Sequence, residues 1–206
     1  MTQVRPYAGV DAADRLALRR ARLLESGLEL LGANIDPAEL TVRGICRQSG
    51  LATRYFYESF SDKDAFIGAA FDWVITQLAA TTQAAVAAAP AEEQTRAGMT
   101  NIVRTIEADP RIGRLIFGTQ VSNTAVIRKR QETEALFVML AGQHVQAVTR
   151  QPATEATKAF AYFVVGGVTQ TVSAWLGGGL TLTSDELVDQ LSAIVDAFGE
   201  SSLFRG

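Results

Sequence analysis

The side chains best equipped for chemistry in this 206-residue chain lie between Thr41 and Lys63. Thr53, Arg54, Tyr55 and Tyr57 place hydroxyl, guanidinium and phenol groups within five residues, with no acid among them. Such groups donate hydrogen bonds to base edges, and an arginine fork matches the edge of a guanine. Thr41, Arg43 and Lys63 flank them with a hydroxyl, a guanidinium and an ammonium group. Thr41 also stands where a helix opens, and the first N–H groups and dipole of a helix favour an anion.

Chemistry of other kinds is poorly supplied. A single cysteine, Cys46, excludes a disulfide framework and a multi-cysteine metal site. The single histidine, His144, leaves no His-rich cluster. There is no phosphate-binding G-x-x-x-x-G-K-[ST] run and no G-x-S-x-G nucleophile elbow. The glycines at 177–179 precede a helix-capping sequence rather than follow a strand. No enzyme and no cofactor are expected.

The net charge of −3 argues against a partner rich in phosphate until the charges are located. Residues 1–63 carry nine basic and eight acidic side chains, and the remainder ten basic and fourteen acidic. Arg5, Arg15, Arg19, Arg20 and Arg22 face only Asp11 and Asp14 within the first 24 residues. The acid therefore belongs to the later two-thirds. Arg5 could reach a groove from an N-terminal arm. Arg15, Arg19 and Arg22 share one helix face, for which a solvated surface is the first reading and a DNA contact the second.

Helical periodicity dominates and predicts an all-α chain of about nine helices without a sheet. The expected helices cover residues 12–32, 41–49, 53–60, 63–88, 91–107, 110–118, 124–149, 152–176 and 184 onward. The first carries an apolar stripe of Leu16, Leu23, Leu24, Leu28 and Leu31. Ser61-Asp62-Lys63-Asp64 and Thr183-Ser184-Asp185-Glu186 read as capping boxes, and Pro110 suits a helix start. Residues 159–184 carry no charge, but polar Thr169, Gln170, Thr171 and Ser173 interrupt the run. It is expected to be a helix covered by protein rather than a membrane span. Nothing near Arg5 forms a signal peptide, so a cytoplasmic location is expected.

Two short helices around Gly50-Leu51 have helix-turn-helix spacing. Ile45 and Leu51 are apolar where the helices must touch, Cys46 is small, and Phe56 and Phe60 anchor the second helix to the core. This stretch resembles the TetR family of bacterial transcriptional regulators. The family pattern is matched by Thr41, Ile45-Cys46, Ser49-Gly50-Leu51-Ala52, Tyr57-Glu58-Ser59-Phe60 and Asp62-Lys63-Asp64, over roughly residues 12–70. Three residues depart from it. Ala52 replaces a capping Ser, which leaves Thr53 to take that role or to read a base. Arg54 replaces a small residue, and Ser59 stands where an aromatic or His is frequent.

The resemblance implies a DNA-binding domain over 1–62 and a helical effector-binding and dimerisation domain over 63–206. It assigns base reading to Thr53, Arg54 and Tyr55, and phosphate contacts to Thr41, Tyr57 and Lys63, with Arg43 as a further candidate. Gln77, Met99, Ile102, Phe117, Gln120, Phe137, His144 and Phe163 fall on helices that line the cavity of similar proteins, with core packing as the alternative for each. Dimer contacts are expected from Phe160, Val164, Gly167, Val168, Thr171 and Trp175, and from Leu187, Leu191, Ile194 and Phe198 of the last helix. Their apolar surface exceeds what one neighbour covers, and pairing them makes a four-helix interface. The expected protein is a ligand-responsive homodimeric regulator, a repressor released from a palindromic DNA operator by a small apolar or amphipathic effector. No membrane partner is expected. The alternative is a helical small-molecule-binding or adaptor protein whose helix-turn-helix no longer reads DNA, and Ala52 and Ser59 are its support.

Overall fold

Leu23, Leu24, Leu28 and Leu31 recur at helical spacing, and their burial draws helix α1 (Ala12–Leu31) onto the rest of the chain. The computed structural model describes residues 12–33, 40–118, 123–149 and 154–200. Arg5 and Gln120 lie outside them, as does the side chain of Phe198. Leu16 does not join the stripe as expected and is 40% exposed. The start of α1 projects beyond its neighbours, and residues 13–18 are all exposed.

Two short helices follow, α2 (Val42–Ser49) and α3 (Thr53–Ser59), and then the long α4 (Lys63–Ala88). Asp62 rather than Ser61 caps α4, accepting the Ala65 N–H at 2.8 Å. That bond, and a second from the Ser61 hydroxyl, hold the Asp62 carboxyl below its ordinary pKa. Phe66, Ile67, Ala70, Phe71, Val74, Ile75 and Leu78 bury the first half of α4. Gly27 lets α1 cross it closely, because a Cβ there would stand 2.7 Å from that of Ala70.

A single 3₁₀ turn at Ala91–Glu93 leads into α5 (Gln94–Ala108), which packs against α4. Pro110 opens α6 (Pro110–Phe117) as expected, and Asp109 caps it by accepting the Arg111 N–H at 3.1 Å. Helix α7 (Thr124–Thr149) packs on α4, and α8 (Glu155–Leu176) on α6 and α7. Thr154 caps α8 in a reciprocal box with Thr157, so the described helix begins after Pro152. The last helix, α9 (Ser184–Glu200), lies on α5. Thr183 and Glu186 close the expected capping box, with the Thr183 N–H donating to the carboxylate at 2.8 Å. Among the described residues there are nine α-helices and no strand. One buried cluster runs from Leu23 on α1 through Phe56 and Phe66 to Leu187 on α9.

Helix α8 departs from its expected covering. It is long and apolar enough to cross a membrane, yet only 22% of its apolar window is buried within the chain. One face meets α6 and α7, while Tyr162 and Phe163 stand 50% and 56% exposed.

Candidate nucleic-acid interface

The turn between α2 and α3 follows from local chemistry. The Thr41 hydroxyl oxygen accepts the Gly44 N–H at 3.1 Å, which caps α2. Gly50 ends it at φ 67°, a left-handed conformation that suits a residue without a side chain. The Leu51 N–H then donates to the Cys46 carbonyl at 3.0 Å. Ile45 and Cys46 are buried, and Leu51 packs against the same cluster. Phe56 is fully buried among Tyr57, Phe60 and Phe66, with ring centroids 5.3 to 5.6 Å apart. These contacts fix the roll of α3 about its own axis.

That roll decides what faces outward. Thr41, Arg43, Thr53 and Arg54 are exposed, and Tyr57 is 57% exposed. Lys63, the first residue of α4, is half-buried. Tyr55 is also half-buried, because two guanidinium groups lie over its ring. Arg54 approaches the centroid at 4.5 Å and Arg19, from α1, at 4.0 Å. Arg54 Nη2 further donates to the Tyr55 hydroxyl at 2.5 Å, which raises the Arg54 pKa. Arg19 also pairs with Glu58 of α3 at 3.3 Å.

Arg19 is therefore more than a solvated side chain, and the sequence reading did not foresee these contacts with α3. The next residue, Arg20, donates to the Ser59 carbonyl at 3.0 Å and lies 4.5 Å from the Phe60 ring. A cation at that end of α3 complements the helix dipole. Residues 39 positions apart supply these ties, so helical periodicity contained no signal for them.

Ala52 occupies the N-cap of α3 and makes no side-chain cap bond. Thr53 does not shift into that role, since it is the first helical residue. Ala52→Ser is expected to supply the missing acceptor and stabilise the chain by about 1 kcal/mol. Thermal unfolding checks this, with a rise of roughly 2–4 °C expected for a chain of this size.

No family model matches the chain, and no curated protein matches it. Solved structures do. The fatty acid degradation regulator FadR of Bacillus halodurans aligns with a TM-score of 0.71 at 14% identity, over 86% of this chain and 94% of that one. FadR of Bacillus subtilis, solved in complex with stearoyl-CoA, aligns with a TM-score of 0.69 at 14% identity, over 87% and 97%. A TetR-like transcriptional regulator from Rhodococcus sp. RHA1 gives 0.68 at 13% identity, over 90% and 98%. The fold is that of the TetR-family regulators.

In this TetR fold, a cavity of about 370 Å³ opens between α6, α7 and α8. Phe117 and Phe137 line it, together with Ile116, Arg130, Thr133 and Gln170, which the sequence did not single out. Arg130 donates from Nη2 to the Leu115 carbonyl at 2.8 Å and the Arg114 carbonyl at 3.1 Å, and from Nη1 to that of Gly118. Burial lowers its pKa. The other described residues of the expected lining are not brought together. Gln77 is exposed, Met99 and Ile102 pack against the core, His144 is half-buried elsewhere on α7, and Phe163 stands on the surface. A hollow of about 470 Å³ beside α5 is lined by Ala85, Ala97, Thr100 and Asn101 with Arg96 and Arg104, and these two arginines already pair with Asp189, Glu107 and Asp185. Among the described residues, no group of three His, Cys, Asp or Glu side chains could hold a metal ion.

The expected dimer residues divide into two sets. Phe160, Leu187 and Leu191 are buried within the chain and present no surface. Val164, Val168, Thr171 and Trp175 are half-buried, and the Trp175 indole N–H donates to the Leu182 carbonyl at 2.8 Å. Gly167 is exposed, as is Ile194 at 50%.

Proposed function

We propose that the chain is a ligand-responsive homodimeric DNA-binding transcriptional regulator, a repressor released from a palindromic operator by a small apolar or amphipathic molecule. One observation carries the reading. Helix α3 is held against the core by Phe56 and Phe60, so that Thr53, Arg54 and Tyr57 point away from it on a turn of helix-turn-helix geometry. Residues 1–62 would serve DNA and residues 63–206 effector and dimer. Thr53 and Arg54 would read bases, while Thr41, Arg43, Tyr57 and Lys63 would hold phosphates. Tyr55 would act through its ring as a support for Arg54 as well as through its hydroxyl.

The exposed apolar band of α8 supports pairing of two copies, and a second chain over that band makes a cytoplasmic dimer the reading rather than a membrane protein. The cavity at α6–α8 has the size of a small-molecule site, and it sets Phe117 and Phe137 beside polar Arg130, Thr133, Gln170 and Ser173, a mixed lining that suits an amphipathic molecule. The stearoyl-CoA bound by the Bacillus subtilis relative is an amphipathic molecule of the proposed class. A route from cavity to DNA-reading unit runs through α6, whose Arg111 pairs with Glu29 at 3.4 Å and whose Arg114 donates to the Gly32 carbonyl. Ligand that favours one seating of α6 would tilt α1 and α4 and change the separation of the two reading helices.

Binding to fragments of the protein's own genomic DNA across a salt series tests the reading. Sequence-selective binding that weakens steeply with salt is expected. Its absence from every fragment would leave the adaptor reading in place. Within selective binding, Tyr57→Phe is expected to weaken all duplexes alike, and Arg54→Ala to change the preferred sequence. A uniform loss in Arg54→Ala would move Arg54 to the phosphate set.

A further inference from the structure

We propose that Arg19 is a positioning residue of the DNA-reading face, holding Glu58 and the Tyr55 ring so that Arg54 rests on that ring, apart from Glu58, where it can read a base. The inference rests on the reading that α3 faces DNA, and it concerns a residue of α1 that lies over the Tyr55 ring.

Two guanidinium groups lie within 4.5 Å of one ring centroid, that of Tyr55, and one carboxylate, Glu58, belongs to the cluster. Arg54 and Glu58 sit at i and i+4 on α3, the spacing at which a helix pairs opposite charges. Glu58 is thus a competing partner within reach of Arg54, although base before acid is the weaker of the two orders. In the structure it pairs instead with Arg19 at 3.3 Å. Arg54 turns to Tyr55, with its Nη2 on the phenol oxygen at 2.5 Å. Arg19 occupies the competing carboxylate and fixes the ring on which Arg54 rests. Without Arg19, Glu58 would draw Arg54 along the helix surface, away from a groove.

Arg20 provides the internal comparison. It ties α1 to α3 as well, through the Ser59 carbonyl and the Phe60 ring, but touches neither Tyr55 nor Glu58 in these contacts. A merely structural role would make Arg19 and Arg20 equivalent. A positioning role separates them.

The test uses the full-length protein and the duplex that it selects from a randomised double-stranded pool, with single-base variants of that duplex. Arg19→Ala is expected to lose about tenfold of its discrimination at the base position whose preference Arg54→Ala abolishes. Its salt slope should stay at the wild-type value, because Arg19 neutralises no phosphate. Arg19→Ala/Glu58→Gln is expected to regain the discrimination, since the competing charge is gone. Arg19→Lys keeps a cation beside Glu58 and should retain it throughout. Arg20→Ala should weaken all duplexes alike. The proposal is overturned if Arg19→Ala keeps its base preference, weakens every duplex as Arg20→Ala does, or lowers the salt slope by about one. It is also overturned if Glu58→Gln restores nothing. If the wild-type protein selects no sequence, the DNA-reading function itself fails, and this proposal with it.

Discussion

Gly167→Arg is expected to turn the proposed dimer into a monomer and to cut affinity for the selected duplex by about a hundredfold or more. The expectation comes from the space around the residue. Gly167 is exposed on α8, and a Cβ built there meets nothing within 4 Å. The single chain therefore has room for the new side chain, and arginine favours a helix interior by about 0.8 kcal/mol relative to glycine. Folding of one chain should be unharmed. At a packed helix–helix interface the same side chain brings a clash and an uncompensated charge into an apolar contact. DNA binding suffers because the second half-site is then no longer reached by a tethered partner. Sedimentation at micromolar concentration checks the first effect, and titration of the selected duplex the second. A Gly167→Arg dimer that binds DNA normally would move the interface away from α8.

Phe56→Ala is expected to cost about 3–5 kcal/mol of folding stability, the range for removing a fully buried aromatic ring. Against a net stability of roughly 5–15 kcal/mol, that is a large part of the whole. The ring is 0% exposed and touches Tyr57, Phe60 and Phe66, so the loss falls on the joint between α3 and α4. DNA binding should fail at temperatures where α4 to α9 remain helical. Phe56→Leu fills most of the volume and should retain both properties to a larger extent. Denaturant unfolding, with duplex binding measured in parallel, separates these outcomes. An Ala variant as stable as wild type would mean that α3 is not anchored by this ring.

The helix-turn-helix was legible in the sequence because its signals are local. Thr41 caps the helix that follows it, Gly50 takes a positive φ, and Phe56 and Phe60 are buried one turn apart. What the sequence left open depends on distant neighbours. The apolar period of α9 made Leu187, Leu191 and Ile194 equivalent, yet α5 covers the first two and leaves Ile194 half exposed. Leu16 continued the α1 stripe by spacing but extends past the helices that bury the rest. The cavity needs α6, α7 and α8 together, so only Phe117 and Phe137 of its expected lining were found. Arg19 read as a surface charge because its partners lie 36 and 39 residues away.

Two copies of α3 are proposed to read DNA as one symmetric unit. Hydroxyl-radical footprinting of the selected duplex tests it most directly. Two protected segments related by a two-fold axis are expected, their centres about one helical turn or a multiple of it apart, and lost together as salt rises. Protection that ignores sequence, or none on any duplex, would contradict it.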